Sequence, residues 1–135
     1  MKIFALVVFT LHVLAELVFG ANAFLSGGFS SQTAEDLADQ PANIAGSARF
    51  LGAALMSLGL LGAIVVFGPG VGSAMGRAVA GLLMFFHGIG VVGVLLTAQQ
   101  YAGYMTQGAA PLIVHLVLAL GFLIVFARHR SMQNG

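Results

Sequence analysis

Cysteine and tryptophan are absent from this 135-residue sequence, and charge is scarce: five Lys and Arg, four Asp and Glu, together 7% of the chain. Without cysteine there is no disulfide, no thiolate metal site and no cysteine nucleophile. Without tryptophan, any aromatic belt at a membrane interface has to come from Tyr and Phe. A net charge of +1 with no basic run excludes a nucleic-acid partner. No serine–histidine–acid pattern, no glycine-rich phosphate loop before a helix and no HExxH run occurs, so hydrolase and nucleotide chemistry have no carrier and the chain is not expected to be an enzyme on its own. Soluble domains devote roughly a quarter of their residues to charge, and this chain cannot cover a water-facing surface.

What the sequence has instead is apolar length: 59% of it is hydrophobic. Four runs are long enough to cross a bilayer, over residues 3–24, 44–67, 74–98 and 111–127. They predict an all-α integral membrane protein, a single transmembrane domain over 1–135 built as an antiparallel four-helix bundle in the inner (plasma) membrane. The start resembles a signal peptide, with Lys2, an apolar run and Ala21-Asn22-Ala23 as a small-x-small site. A cleaved signal is the alternative; the long apolar run and the retention of His12 and Glu16 within it favour a true first span.

Residues 26–47 form the only long polar stretch, carrying three of the four carboxylates: Glu35, Asp36 and Asp39. Within it Thr33 to Asp36 offers a capping-box-like helix start, Leu37 and Ile44 suit a short surface helix, and Pro41 would end it. Gly68 to Gly72 makes a tight connection between spans two and three. Residues 99–110 are polar but uncharged, with Tyr101 and Tyr104 suited to the headgroup level, and Pro111 fits the first turn of span four. That span stops at Arg128-His129-Arg130, where His129 reads as a solvated residue of a basic, polar tail. Lys2, Arg77, Arg128 and Arg130 fall on one side and the acidic loop on the other, which puts both termini in the cytoplasm. Arg49 is the exception, an outer-face charge expected to snorkel to the headgroups; a link from Arg49 to Glu16 is the strained alternative.

Ala45, Gly52 and Gly59 recur every seven residues on span two, as do Ala74, Gly81 and Gly88 on span three. Small residues at helical spacing let backbones approach where lipid removes the hydrophobic drive, and the short link joins these spans as a hairpin. A sharper reading has Gly88, Gly90 and Gly93 clearing space beside His87 for a flat cofactor. Four ionisable residues lie inside spans: His12, Glu16, His87 and His115. An intramembrane ionisable group is costly and by default a functional candidate. His12 and Glu16, four residues apart, share a helix face; with His87 they fall near mid-depth, and His115 a few ångströms toward the outer side. The plain reading ties helices together through neutral, hydrogen-bonded side chains. Others are a haem or quinone site on His12, His87 and His115 tuned by Glu16, a metal site from three His and one Glu, or a proton-coupled carrier with Glu16 as the protonatable group.

The run Ala48-Arg49-Phe50-Leu51-Gly52, continuing through Gly59 and Gly62, with Pro69-Gly70 and Pro111 before the last span, resembles small DoxX-like membrane proteins. That resemblance implies a four-span membrane subunit, in some members one that serves quinone-linked sulfur oxidation. It assigns no role to His12, Glu16 or His87. The leading expectation is a small accessory or subunit protein that acts by binding, beside a membrane redox system. Its partners would be the lipid bilayer and a membrane complex or further copies of itself. A haem- or quinone-binding electron-transfer protein and a small proton-coupled carrier are the alternatives.

Overall fold

The computed structural model describes residues 1–28, 41–101, 104–107 and 109–133. Every regular element among them is helical: α1 (Lys2–Ser26), α2 (Ala42–Phe67), α3 (Ala74–Gln100), α4 (Tyr104–Gln107), α5 (Ala110–Ala127) and α6 (Arg130–Gln133). Four of these, α1, α2, α3 and α5, are long and apolar enough to cross a membrane. Their ends fall within two residues of the boundaries expected from the sequence. The expected capping box at Thr33 to Asp36 and Leu37 lie outside the described residues.

Local chemistry explains how the helices begin and stay dry. Pro41 stands immediately before α2 with φ −57° and ψ 139°. It starts this helix, since proline has no amide hydrogen to leave unpaired there; the short surface helix expected before it lies outside the described residues. Ser73 caps α3: its hydroxyl accepts from the Gly76 amide at 3.0 Å and donates to the Gly70 carbonyl at 2.7 Å. Gly70 takes φ +86°, open to glycine at little cost. A Cβ on Gly76 would stand 2.7 Å from the Val71 carbonyl oxygen, so this turn requires glycine at both positions. Pro111 occupies the first turn of α5, as expected. Hydroxyls within the apolar helices satisfy themselves: Ser57 donates to the Ala53 carbonyl and Thr97 to the Gly93 carbonyl. Such back-bonding lets a hydroxyl face an apolar medium without an orphaned donor.

The chain divides into two compact units, residues 9–68 and residues 1–8 with 69–135. In the first, α1 and α2 run antiparallel. A Cβ on Gly52 would meet the Phe24 amide nitrogen and Gly20 carbonyl oxygen, one on Gly59 the side chains of Glu16 and Leu17, and one on Gly62 those of His12 and Val13. The α1 number falls as the α2 number rises, which fixes the direction. In the second unit α3 and α5 are antiparallel by the same test, with Gly81 against Phe126 and Gly90 against His115. The first turns of α1 belong here, Val8 filling the space above Gly121, and Lys2 and Met132 both lie near Gly72.

Large apolar side chains are exposed along each long helix, among them Ile3, Phe50, Phe85 and Ile113. A water-soluble surface does not carry contiguous apolar area of this kind. The C-terminal segment departs from expectation. Instead of a free polar tail it forms α6, burying Met132, and His129 is 3% exposed rather than solvated. Met132 supplies the reason: it is an apolar residue that the residue-by-residue polarity of the tail hides.

Candidate functional site

Each unit holds one pair of ionisable side chains inside its helix pair. In the α1–α2 unit the pair is His12 and Glu16, both buried. Gly62 and Gly59 make the room for them, since their missing Cβ atoms would stand 3.0 Å from His12 Cδ2 and 3.2 Å from Glu16 Cβ. Gly59, expected only to bring helices together, thus also seats Glu16, and Gly62 seats His12. His12 Nε2 lies 3.2 Å from the Leu58 carbonyl oxygen. A carbonyl only accepts, so Nε2 carries the hydrogen and donates it, which fixes the tautomer of a neutral ring. Nδ1 is then a bare lone pair, 3.8 Å from Glu16 Oε1. A neutral ring beside a protonated carboxyl, or an imidazolium beside a carboxylate, would each leave the pair electrically neutral, the inexpensive state away from water.

In the other unit His87 on α3 meets His115 on α5, with 3.0 Å between their Nδ1 atoms. Two identical nitrogens bond only when one donates and the other accepts, so the neutral rings are opposite tautomers. Gly90 is the notch that admits this contact: a Cβ there would stand 2.6 Å from His115 Nδ1. His87 is fully buried, stacked on Phe122 at 6.0 Å between centroids with an interplanar angle of 5°. Phe86 presents its edge to both imidazoles, at 5.0 and 6.1 Å. His115 is half-buried, so the pair runs from a sealed ring to a reachable one.

Within its own unit, His12 stands beside Glu16, and within the other His87 meets His115. The space expected beside His87 for a flat cofactor is partly filled: the imidazole of His115 occupies the gap at Gly90. At Gly88 and Gly93 a Cβ would meet nothing within 4 Å, so the packing role expected of Gly88 has no counterpart. Gly52, Gly59 and Gly81 do sit at close helix contacts, against α1 and α5 respectively. Arg49 holds its guanidinium over Gly27, with Nη2 3.0 Å from where a Cβ would stand. Gly27 lies eleven residues along α1 from Glu16, roughly 16 Å at helical rise, so the alternative Arg49–Glu16 link is not made.

The chemistry of the His87–His115 pair narrows its use. Metal–nitrogen bonds of roughly 2 Å, as for zinc, separate two axial ligand nitrogens by about 4 Å. Here the facing nitrogens are bonded to each other at 3.0 Å, so the pair does not bracket a haem iron. Both Nε2 atoms remain outside that bond, and on His115 this atom suits hydrogen bonding to a flat carbonyl compound beside aromatic rings. Sequence reasoning missed the Leu58 carbonyl, Gly62, Phe86 and Phe122. Only Gly62 and Phe86 carried a signal, the one extending the small-residue face of α2 and the other adjoining His87. No family model, curated protein or solved structure matches the chain.

Proposed function

We propose that this chain is a multi-pass protein of the inner membrane, both termini cytoplasmic, that serves a membrane redox system as a small accessory subunit by binding a quinone-type headgroup. The observation that carries the reading is the His87–His115 contact, a buried imidazole joined through Nδ1 to a half-buried one among aromatic rings. His115 Nε2–H donates to a carbonyl oxygen of the headgroup, and its Nδ1 accepts from His87 Nδ1–H. That polarity keeps the Nε2–H of His115 as the donor toward the headgroup. Exposed apolar side chains on all four long helices support insertion in lipid. The nearness of Lys2 and Met132 to the α2–α3 turn supports a common, cation-rich end for both termini, and the positive-inside rule assigns that end to the cytoplasm. The DoxX-like layout is in keeping with a quinone-linked subunit.

The test is equilibrium binding of a short-chain quinone to the detergent-purified protein, with the absorbance spectrum recorded first. Saturable binding that weakens tenfold or more in His115→Phe is expected, with no Soret band. A Soret band lost in His87→Ala would replace the quinone with haem, and absence of binding in the unmodified protein would refute the reading. The nearness of His12 Nδ1 to Glu16 Oε1, two buried ionisable side chains, favours a second reading as a proton-coupled carrier. Under it, Glu16→Gln abolishes solute uptake into proteoliposomes but leaves quinone binding intact.

A further inference from the structure

A second site lies at the opposite chemical extreme, where α3 begins and α5 ends. A notch of about 400 Å³ is lined by Ala74, Arg77, Ala78, Phe126, His129 and Arg130. Arg77 lays its guanidinium over the Phe126 ring, 4.9 Å from the centroid. That contact holds the planar fork in place and leaves its donors at the edges available. Arg130 supplies a second cation and His129 a buried imidazole wall. Ala74 and Ala78 open the floor to the first turn of a 27-residue helix, whose amides and dipole add partial positive charge.

Among the described residues no carboxylate lines this notch; the Asp and Glu of the sequence are Glu16, Glu35, Asp36 and Asp39, far from 74–78 and 126–130 in the chain. Two guanidinium groups without an acidic partner in the lining call for a doubly liganded oxyanion, the geometry of a phosphate. From Ala78, α3 continues on the same face at helical spacing through Leu82 and Phe85, both exposed. An acyl chain needs such an apolar track directly below its headgroup, whereas free phosphate has no use for one.

We propose that this notch binds the phosphodiester headgroup of an anionic phospholipid, with Arg77 and Arg130 on the phosphate and the acyl chains along Leu82 and Phe85. The proposal rests on the membrane reading but not on the quinone. Basic pockets between helices on the cytoplasmic side are a known physical solution for anionic headgroups, and the cost of each lost arginine is about a fivefold weaker association.

The experiment is native mass spectrometry of the detergent-purified chain titrated with phosphatidylglycerol or phosphatidylcholine. Retention of phosphatidylglycerol at least fivefold over phosphatidylcholine is expected, falling about fivefold in Arg77→Gln and further in Arg77→Gln/Arg130→Gln. Arg49→Gln, which removes a cation elsewhere, should leave it unchanged. Ala74→Glu guards against misfolding: an acid in the first helical turn favours α3, yet it places a carboxylate in the notch and should abolish retention. Equal retention of both lipids, or an Arg49→Gln loss as large as that of Arg77→Gln, would overturn the proposal. So would displacement of phosphatidylglycerol by millimolar inorganic phosphate, which would assign the notch to free phosphate. A chain extracted from membranes by carbonate would instead sink the membrane reading itself.

Discussion

Single atoms decide most at the glycines facing the polar pairs. A methyl group on Gly62 would stand 3.0 Å from both His12 Cδ2 and Val13 Cγ2, so the imidazole has to retreat from the Leu58 carbonyl. Gly62→Ala is expected to cost about 1–3 kcal/mol, the usual range for overpacking a filled site, in a denaturant titration of the detergent-solubilised protein. Gly88→Ala meets nothing within 4 Å and should be neutral or stabilising by up to about 1 kcal/mol, because alanine loses less backbone freedom in a helix. Equal costs for the two would show that glycine itself, and not the neighbour, sets the effect. The His87–His115 bond makes an equally sharp demand. Nitrogen NMR of histidine-labelled protein should show one protonated and one bare Nδ1 in this pair. Gly90→Ala, whose methyl group would lie 2.6 Å from His115 Nδ1, should make the two nitrogens independent.

Helix against helix, the contrast is between contacts that can yield and contacts that cannot. The would-be Cβ of Gly52 stands 2.5 Å from the Phe24 amide nitrogen and 2.6 Å from the Gly20 carbonyl oxygen. Both atoms are backbone, so no rotamer relieves the clash and α1 and α2 have to separate. Gly52→Ala should therefore destabilise more than Gly62→Ala by the same denaturant titration, although both add one methyl group; the reverse order would mean that α1 and α2 are not in register through Gly20 and Gly52. Close backbone approach of this type is where apolar helices gain dispersion and weak Cα–H···O contacts in lipid. The small residues were legible in the sequence as a seven-residue repeat, and so were the four long helices, since apolar length alone identifies them. His12 with Glu16 was legible too, because four residues is one helical turn. His87 with His115 was not, for their separation of 28 residues becomes a contact only through the register of α3 on α5. The Leu58 carbonyl was invisible for a different reason: every residue has one, and only the notch at Gly62 brings a donor to it. His129 was misread because tail polarity was judged without the buried Met132 that anchors α6.

For the whole molecule the decisive quantity is which way the helices thread the bilayer. Lys2 and Met132 approach the same turn at Gly72, and Arg77 and Arg130 line one notch, so the basic residues of this unit gather at one end. Basic flanks stay in the cytoplasm because carrying them across costs charge transfer against the membrane potential. Under the proposed orientation, the stretch between the first two spans, with Glu35, Asp36 and Asp39, is expected on the opposite side from Lys2. The absence of cysteine turns this into a clean measurement, because any introduced thiol is the only one present. Thr33→Cys should react with a membrane-impermeant maleimide added to intact cells, whereas Asn134→Cys should react only after the membrane is opened. The opposite pattern would invert the topology and move the Arg77–Arg130 notch to the outer leaflet. Labelling of both sites in intact cells would mean an even number of crossings between them, leaving at least one of the later apolar helices outside the bilayer. Paired thiols thus test the number of crossings as well as their direction.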